Sequence, residues 1–359
     1  MSKKIIFSAG GTGGHIFPAV NLMKHFFEKG YQVVLVTDKR GNNFANKYSQ
    51  FKSYELRTET PTNKNFFGKI LSLFVIFYST LKSITILRKE KADLIIGFGG
   101  YVSFPTSFAS KFFNLPLVIY EPNIVIGRAN KYLLSFAKKI FLAKAIKISF
   151  PEKYKNKIYI VGSIIDKNII NHSNFIIKNN KENFSILVLG GSQGAEIFGE
   201  IVPSVMNMIK DKGHSIQINQ QCIRNQKNSI VDYYKNKDIK SYVFEFDKNI
   251  LNLILASDLA ITRCGASATA ELVHTLTPFI AVPLHNSIDN HQYLNAKFYE
   301  DKGCCWILDQ NNFTKENLFN LIIEKIKNKK ELENIRENMK KIYTNNVYSI
   351  IETQIKEII

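Results

Sequence analysis

Cysteine is scarce in these 359 residues: Cys222, Cys264, Cys304 and Cys305 are the four present. None pairs in a CxxC spacing and none has a histidine at metal-ligand spacing, so neither a disulfide framework nor a zinc site is indicated. The pattern suits a reducing, cytosolic compartment. The opening MSKKIIFSAGG lacks the long apolar run and the small-residue cleavage site of a secretory leader, so none is expected. No dense lysine and arginine block interleaved with aromatics occurs, which speaks against a nucleic-acid partner. No DxD-like carboxylate pair is placed to hold Mg²⁺, and the expectation is that the chain uses neither a metal nor another cofactor. Acidic residues are also short, 30 against 48 basic ones, for a formal net charge of +18. Two readings of that excess stand side by side. A basic surface concentrates anionic partners such as acidic phospholipid or phosphorylated substrates. Compositional drift towards lysine, asparagine and isoleucine produces the same number.

What is present is a folded globular composition, 45% apolar and 12% aromatic, in a chain long enough for two domains. Apolar strand-like runs alternate with helix-length segments, which predicts α/β layering with parallel strands. The first half reads as a strand Lys4–Ser8, a helix from Pro18 to Glu28 and a strand Gln32–Thr37. Further strands are expected at Ala92–Gly97, Leu117–Tyr120, Lys139–Leu142 and Tyr159–Val161. After the polar stretch Asn168 to Asn183 the pattern restarts with Phe184–Leu189, followed by Ser215–Asn219, Leu259–Thr262, Phe279–Val282 and Trp306–Leu308. The stretch Lys315 to Ile359 is helical by period and charge. Two strand-then-glycine openings half a chain apart predict two similar domains with a seam near residue 165.

The segment Ile70–Leu87 (ILSLFVIFYSTLKSITIL) carries Lys82 as its single charge. Its length approaches a bilayer span of roughly 20 residues. Three readings compete: a buried helix, a helix lying in a membrane surface, and a span. Ser79, Thr80, Lys82, Ser83 and Thr85 give it a weak polar side, and Lys64, Lys69, Arg88, Lys89 and Lys91 flank it. Apolar side chains in lipid with lysines over anionic headgroups would fit that profile.

Three glycine loops follow expected strands. The first is Gly10-Gly11-Thr12-Gly13-Gly14-His15, the second Gly97-Phe98-Gly99-Gly100-Tyr101 and the third Gly190-Gly191-Ser192-Gln193-Gly194-Ala195. Glycine lets the backbone turn sharply and approach a ligand, and a helix start behind it favours anionic groups. The dinucleotide fingerprint GxGxxG fails in the first loop, because Ile16 stands at its last glycine. Asp38 nevertheless sits where a dehydrogenase places its ribose-binding acid, so a nicotinamide oxidoreductase stands as the competing class. Any one loop is explained by tight turns alone; three at strand ends predict a ligand crevice. Arg263-Cys264-Gly265-Ala266-Ser267 opens a helix that carries Glu271, a carboxylate suited to ribose hydroxyls. The cluster Asp289-Asn290-His291-Gln292 offers hydrogen-bonding types suited to sugar hydroxyls.

Taken together, GGTGGHIFPA, GFGGYVSFP, YEPNIVIGRANK, GGSQGA, RCGASATAEL and DNHQYLNA resemble, in order and spacing, the MurG family. Those are peripheral membrane N-acetylglucosaminyltransferases that convert lipid I to lipid II in peptidoglycan synthesis, at the cytoplasmic face of the bacterial inner membrane. The resemblance covers essentially the whole chain. It implies a GT-B fold, two Rossmann-like domains whose parallel sheets face a central cleft. Residues 1–163, joined by a final helix 343–359, would take the lipid acceptor, and residues 164–342 would take UDP-GlcNAc. It implies as partners UDP-GlcNAc, undecaprenyl-diphosphate-linked MurNAc-pentapeptide (lipid I) and an anionic membrane surface. By the same resemblance Gly191, Ser192 and Gln193 would meet the donor diphosphate, Glu271 the ribose, Phe246 the uracil, and His291 and Gln292 the sugar. Thr12, Gly13, Gly14 and Asn123 would serve both substrates, with Tyr101 on the acceptor side. His15, of the residue type best suited to exchange a proton near neutral pH, is the expected general base, and Glu121 the second candidate. Two departures stand out. Pro122 replaces a usual glutamine, and the seam motif, usually Gly-Asn-Pro-Val-Arg, reads Gly162-Ser163-Ile164-Ile165-Asp166. An acid thus replaces the expected donor-binding arginine, with Arg263 or Lys167 as possible substitutes.

Overall fold

The computed structural model describes residues 2–11, 13–45, 51–60, 65–145, 151–172, 183–191, 195–247 and 249–359. Two compact units emerge, one of residues 1–166 with 344–359 and one of residues 167–343. The seams expected at 163/164 and 342/343 lie within three residues of these boundaries.

Unit 1 runs β1 (Lys4–Ser8), α1 (Gly13–Glu28), β2 (Gln32–Thr37), α2 (Lys39–Ala45), β3 (Lys52–Glu55) and α3 (Phe66–Glu90). It continues with β4 (Leu94–Gly97), α4 (Ser103–Ala109), β5 (Leu117–Glu121), α5 (Arg128–Leu133), β6 (Lys139–Leu142) and β7 (Ile158–Ile160). Its seven strands are ordered β3-β2-β1-β4-β5-β6-β7, and every pairing is parallel. The central strands are buried along nearly their whole length. That explains why they read as continuous apolar runs instead of alternating ones.

Unit 2 runs α6 (Lys167–His172), β8 (Phe184–Leu189), α7 (Glu196–Asp211), β9 (Ile216–Gln221), α8 (Lys227–Asn236) and β10 (Lys240–Phe244). Then come α9 (Ile250–Leu255), β11 (Leu259–Thr262), α10 (Ala266–His274), β12 (Phe279–Ala281), α11 (His291–Glu300), β13 (Cys305–Ile307), α12 (Lys315–Lys327) and α13 (Lys329–Lys340). Its sheet, ordered β10-β9-β8-β11-β12-β13, is also wholly parallel and repeats the topology of the first. Phe198, Val202, Met206 and Ile209 of α7 seal one face, and Leu272, Val273, Ala296 and Met339 the other.

The last helix, α14 (Val347–Lys356), belongs to unit 1. Tyr348 donates its hydroxyl to the Ile165 carbonyl at 2.6 Å, and His25 of α1 lies 3.2 Å from the Glu352 carboxylate. Lys139 donates to the Gln354 side chain at 2.8 Å and pairs with Glu357. Gly162 holds φ at 95°, and a Cβ there would stand 2.7 Å from Val347. Only glycine allows that approach.

The helix α3 spans 25 residues, longer at both ends than the apolar run that announced it. Asn65 caps it by accepting from the Gly68 amide at 2.9 Å, and Lys91 closes it in a left-handed conformation. Its buried residues include Ser72, Ser79, Thr80 and Ser83, while Phe67, Leu71, Phe74, Phe77 and Tyr78 are exposed. A helix buried in the core would show the reverse arrangement.

Candidate active site

In both units the strand order reverses beside the first strand, between β1 and β4 and between β8 and β11. Open parallel sheets bind ligands in the crevice outside the carboxyl ends of the strands at such a point. The glycine loops at 10–14 and 97–100 follow β1 and β4. The loops at 190–194 and 263–265 follow β8 and β11. Thr12, Ser192 and Gln193 lie outside the described residues.

In unit 1 the first two loops close on His15. Gly99 and Gly100 hold φ at 84° and 76°, which side chains on L-residues rarely adopt. A Cβ on Gly99 would stand 3.0 Å from Asn130 Nδ2 and 3.3 Å from the His15 ring. A Cβ on Gly100 would stand 3.4 Å from the Gly10 carbonyl and 3.5 Å from the same ring. His15 Nδ1 is 2.8 Å from the Phe98 carbonyl oxygen. A carbonyl only accepts, so Nδ1 carries the proton and Nε2 is the basic nitrogen of the neutral ring.

Glu121, the second candidate for the base, is enclosed by hydrogen-bond donors. It is 1% exposed. One carboxylate oxygen accepts from the Asn123 amide and the Asn123 side chain, both at 3.1 Å. The other accepts from the Gly127 amide and from Asn130 Nδ2, both at 2.9 Å. A carboxylate offers about four lone-pair positions, and here all four are taken. Burial pushes its pKa up, against the four donors, which favour the ionised form. A raised pKa suits a base, while the four donors occupy the lone pairs that a substrate hydroxyl would need in this arrangement. Glu121 is the pin of the 121–130 loop, and it fixes Asn123 from both backbone and side chain. Tyr101 is half-buried in the turn after β4. Asp38 accepts from the Gly11 amide at 3.2 Å and the Gly41 amide at 2.7 Å. It anchors the first glycine loop to β2 instead of standing ready for a ribose.

In unit 2 side chains lace the loops along the carboxyl edge in sheet order. Gln221, at the end of β9, accepts from the Gly190 amide at 3.0 Å and donates to the Glu245 carbonyl at 3.1 Å. Arg263 N donates to the Leu189 carbonyl at 3.0 Å, joining the β8 and β11 ends. Its guanidinium donates to the carbonyls of Val282 at 3.1 Å and Pro283 at 3.3 Å and lies 5.1 Å over the Phe198 ring. Burial pushes its pKa down, yet an arginine stays charged. Arg263 was expected as a stand-in for the missing seam arginine. The structure commits part of its fork to the main-chain carbonyls of Val282 and Pro283, with its Cβ next to Gly191.

Gln292 Oε1 accepts from the Cys264 amide at 3.2 Å and the Leu284 amide at 3.0 Å, while Asn295 donates to the Cys264 carbonyl at 3.2 Å. The amide expected to read sugar hydroxyls therefore also sets the spacing of two loops. His291 Nδ1 lies 2.7 Å from the Ile288 carbonyl oxygen. The preceding Asp289 and Asn290 are both left-handed, at φ 52° and 53°, an arrangement that costs energy in non-glycine residues. Glu271 is half-buried in the second turn of α10, and Phe246, just past β10, is 48% exposed. Asn130, Gln221 and Asn295 were not singled out from the sequence. Asn130 and Asn295 stand inside the quoted motifs, but nothing distinguished them from solvated asparagines. Gln221 had no signal at all.

Residues 5–142 match the glycosyltransferase family 28 N-terminal domain, and residues 185–354 its C-terminal domain. A UDP-N-acetylglucosamine--N-acetylmuramyl-(pentapeptide) pyrophosphoryl-undecaprenol N-acetylglucosamine transferase of Pelagibacter ubique is 36% identical over 360 residues, covering 100% of this chain and 99% of the relative. One of the same name from Rickettsia canadensis is 38% identical, covering 94% of this chain and 95% of the relative. Among solved structures, MurG of Acinetobacter baumannii superposes with a TM-score of 0.78 at 24% identity over 99% of both chains, a likeness of fold. The chain belongs to glycosyltransferase family 28, with the MurG-type N-acetylglucosaminyltransferases of GT-B fold.

Proposed function

We propose that this protein moves N-acetylglucosamine from UDP-GlcNAc to the C4 hydroxyl of the MurNAc unit of lipid I, forming lipid II in peptidoglycan synthesis. The observation that carries this reading is the full-length identity of 36–38% to transferases of that name. The reaction is a single displacement with inversion. The acceptor oxygen attacks C1 of the sugar, UDP leaves with the bonding pair, and the hydroxyl proton passes to a base.

Unit 1 takes the acceptor. His15 Nε2 receives the proton, with Nδ1 held on the Phe98 carbonyl. Thr12, Gly13, Gly14, Tyr101 and Asn123 hold the acceptor diphosphate and the reacting unit, and Glu121 fixes Asn123. Unit 2 takes the donor. Amides of the loop Gly191, Ser192 and Gln193 and the start of α7 receive the charge that develops on the diphosphate, without a metal. Glu271 accepts from the ribose hydroxyls, Phe246 covers the uracil, and His291 and Gln292 meet the sugar. Arg263 adds a positive field beside Gly191. The protein sits on the cytoplasmic face of the inner membrane, with the outer face of α3 in the lipid boundary. The exposure of Phe67, Leu71, Phe74 and Phe77 beside inward-facing serines supports that reading.

The test is a transfer assay with radiolabelled UDP-GlcNAc and a lipid I analogue, run with and without EDTA. Label should enter the lipid product, and chelation should leave the rate unchanged. Loss of turnover in EDTA restored by Mg²⁺ would overturn the account of the leaving group. Binding of NADH but not of UDP would turn the reading to the oxidoreductase class.

A further inference from the structure

We infer that Gln221 is a positioning residue for the donor. It is an amide staple that sets the separation between the diphosphate loop and the segment that meets the nucleobase. This rests on the donor reading of unit 2 given above.

Gln221 ends β9, the strand flanked by β8 on one side and β10 on the other. The loops that follow those two neighbours are the ones assigned to the two ends of the nucleoside diphosphate. One primary amide bridges them. Its oxygen accepts from the Gly190 amide, at the entry to the glycine loop, at 3.0 Å. Its nitrogen donates to the Glu245 carbonyl, one residue before Phe246, at 3.1 Å. The orientation of the amide is fixed by its partners, since an N–H faces one end and a carbonyl the other.

The neighbouring side chain has a different task. Gln220 is buried in the core, where it donates to the Phe198 carbonyl and accepts from the Tyr234 hydroxyl. Gln221 points instead along the sheet edge, and both atoms it holds belong to loops. Because the Gly190 amide is already paired within the protein, it serves to shape the entry to the loop. The segment beyond β10 is also tied at Asp247, which accepts from the Tyr242 hydroxyl at 2.8 Å and the Asn249 amide at 2.6 Å, so Gln221 is what links it to the β8 loop. Phe246 is 48% exposed, and Lys227 stands 3.9 Å from the Glu245 carboxylate.

A staple of this kind pre-organises two sites against each other. Ligands that touch one loop gain little from it, while a ligand that spans both loops gains from not having to order their separation itself. Two changes separate its parts. Gln221→Leu removes both hydrogen bonds. Gln221→Glu keeps an acceptor for Gly190 but has no donor for the Glu245 carbonyl.

Calorimetric titration of the full chain with UDP, uridine and inorganic pyrophosphate reads the coupling. Both variants should bind UDP about tenfold more weakly, the loss of one to two ordinary hydrogen bonds. Uridine and pyrophosphate should change less than about threefold. In steady state the KM for UDP-GlcNAc should rise by about the same tenfold, with kcat within about threefold. UDP affinity unchanged in both variants would overturn the staple. So would equal losses for UDP and uridine, which would mark a local defect of the base platform, or a fall in Tm and kcat at constant KM. If the unmodified protein itself binds no UDP, the donor reading fails, and the inference built on it falls with it.

Discussion

His15 and Glu121 show how environment separates two residues that look equally suited to take a proton. The imidazole is half-buried, with Nδ1 on the Phe98 carbonyl and its ring against Gly99 and Gly100. The carboxylate is buried, with two donors on each oxygen. Loss of a general base lowers a rate by about 10²–10⁴-fold. His15→Ala should lower kcat by that factor, leave UDP affinity intact, and flatten the acidic limb of the pH–rate profile. Near-normal kcat with the acidic limb unchanged would remove His15 from the base role. Glu121→Gln sets an NH₂ group against amide donors in a buried site, at a cost of about 1–3 kcal/mol. It should lower Tm and raise the KM for the acceptor, while the residual activity keeps its acidic limb. A Glu121→Gln enzyme of normal Tm whose acidic limb has vanished would return the base role to the carboxylate. The sequence carried the residue types at this site but not their partners. Glu121 was legible as a titratable group near a loop. That the same loop turns back to saturate it depends on Gly127 and Asn130, which only the fold brings there.

The elements most legible in sequence were the buried strands, because parallel strands covered on both faces read as unbroken apolar runs. β3 (KSYE) and β10 (KSYVF) were missed. Both are edge strands, polar on much of their length, and such strands carry little apolar signal. The helix α3 was legible in place but not in orientation, since its serines face the domain and its aromatics do not. Its last turn is held by Glu90, which is 3% exposed and receives hydrogen bonds from Lys4 at 3.2 Å and from Tyr54, with Lys52 at 2.6 Å. Burial alone would raise this carboxyl's pKa. The bonds from Lys52, Tyr54 and Lys4 outweigh it and hold the group at about 2, against an ordinary 4.5. The depressed value means that the stabilisation is present above pH 4.5 and is lost as the pH falls towards 2. A shift of this size corresponds to about 3 kcal/mol. Glu90→Gln should lower the denaturation free energy by up to about that amount at pH 7, and the gap to the unmodified protein should close below pH 3. A gap that stays constant from pH 7 to pH 2 would show that the lost contact is not the ionised one.

At the scale of the whole molecule, two sheets of the same strand order carry glycine loops at corresponding places, so one topological rule locates both candidate substrate sites. The repeat was visible as two strand-then-glycine openings. The return of α14 to unit 1 was implied by resemblance alone, because the contacts that fix it, such as Gly162 against Val347, join residues 185 apart. Charge is the property that belongs to the molecule as a whole, and the excess of +18 acts on any anionic surface. A membrane surface draws basic residues by about 1 kcal/mol each when they lie near it, and the outer face of α3 supplies apolar area for the boundary region. Neither contribution alone makes a stable anchor. Attachment should therefore need both, and it should be reversible. Binding to liposomes is expected with acidic lipid and not with zwitterionic lipid alone. It should weaken steeply with salt, because the screening length falls to about 3 Å at 1 M. Replacing Phe74 and Phe77 together by serine should release the protein from acidic liposomes at a lower salt concentration, without changing UDP affinity. If salt and alkali leave the protein bound and only detergent extracts it, α3 spans the bilayer, and its serine face meets lipid or another helix instead of unit 1.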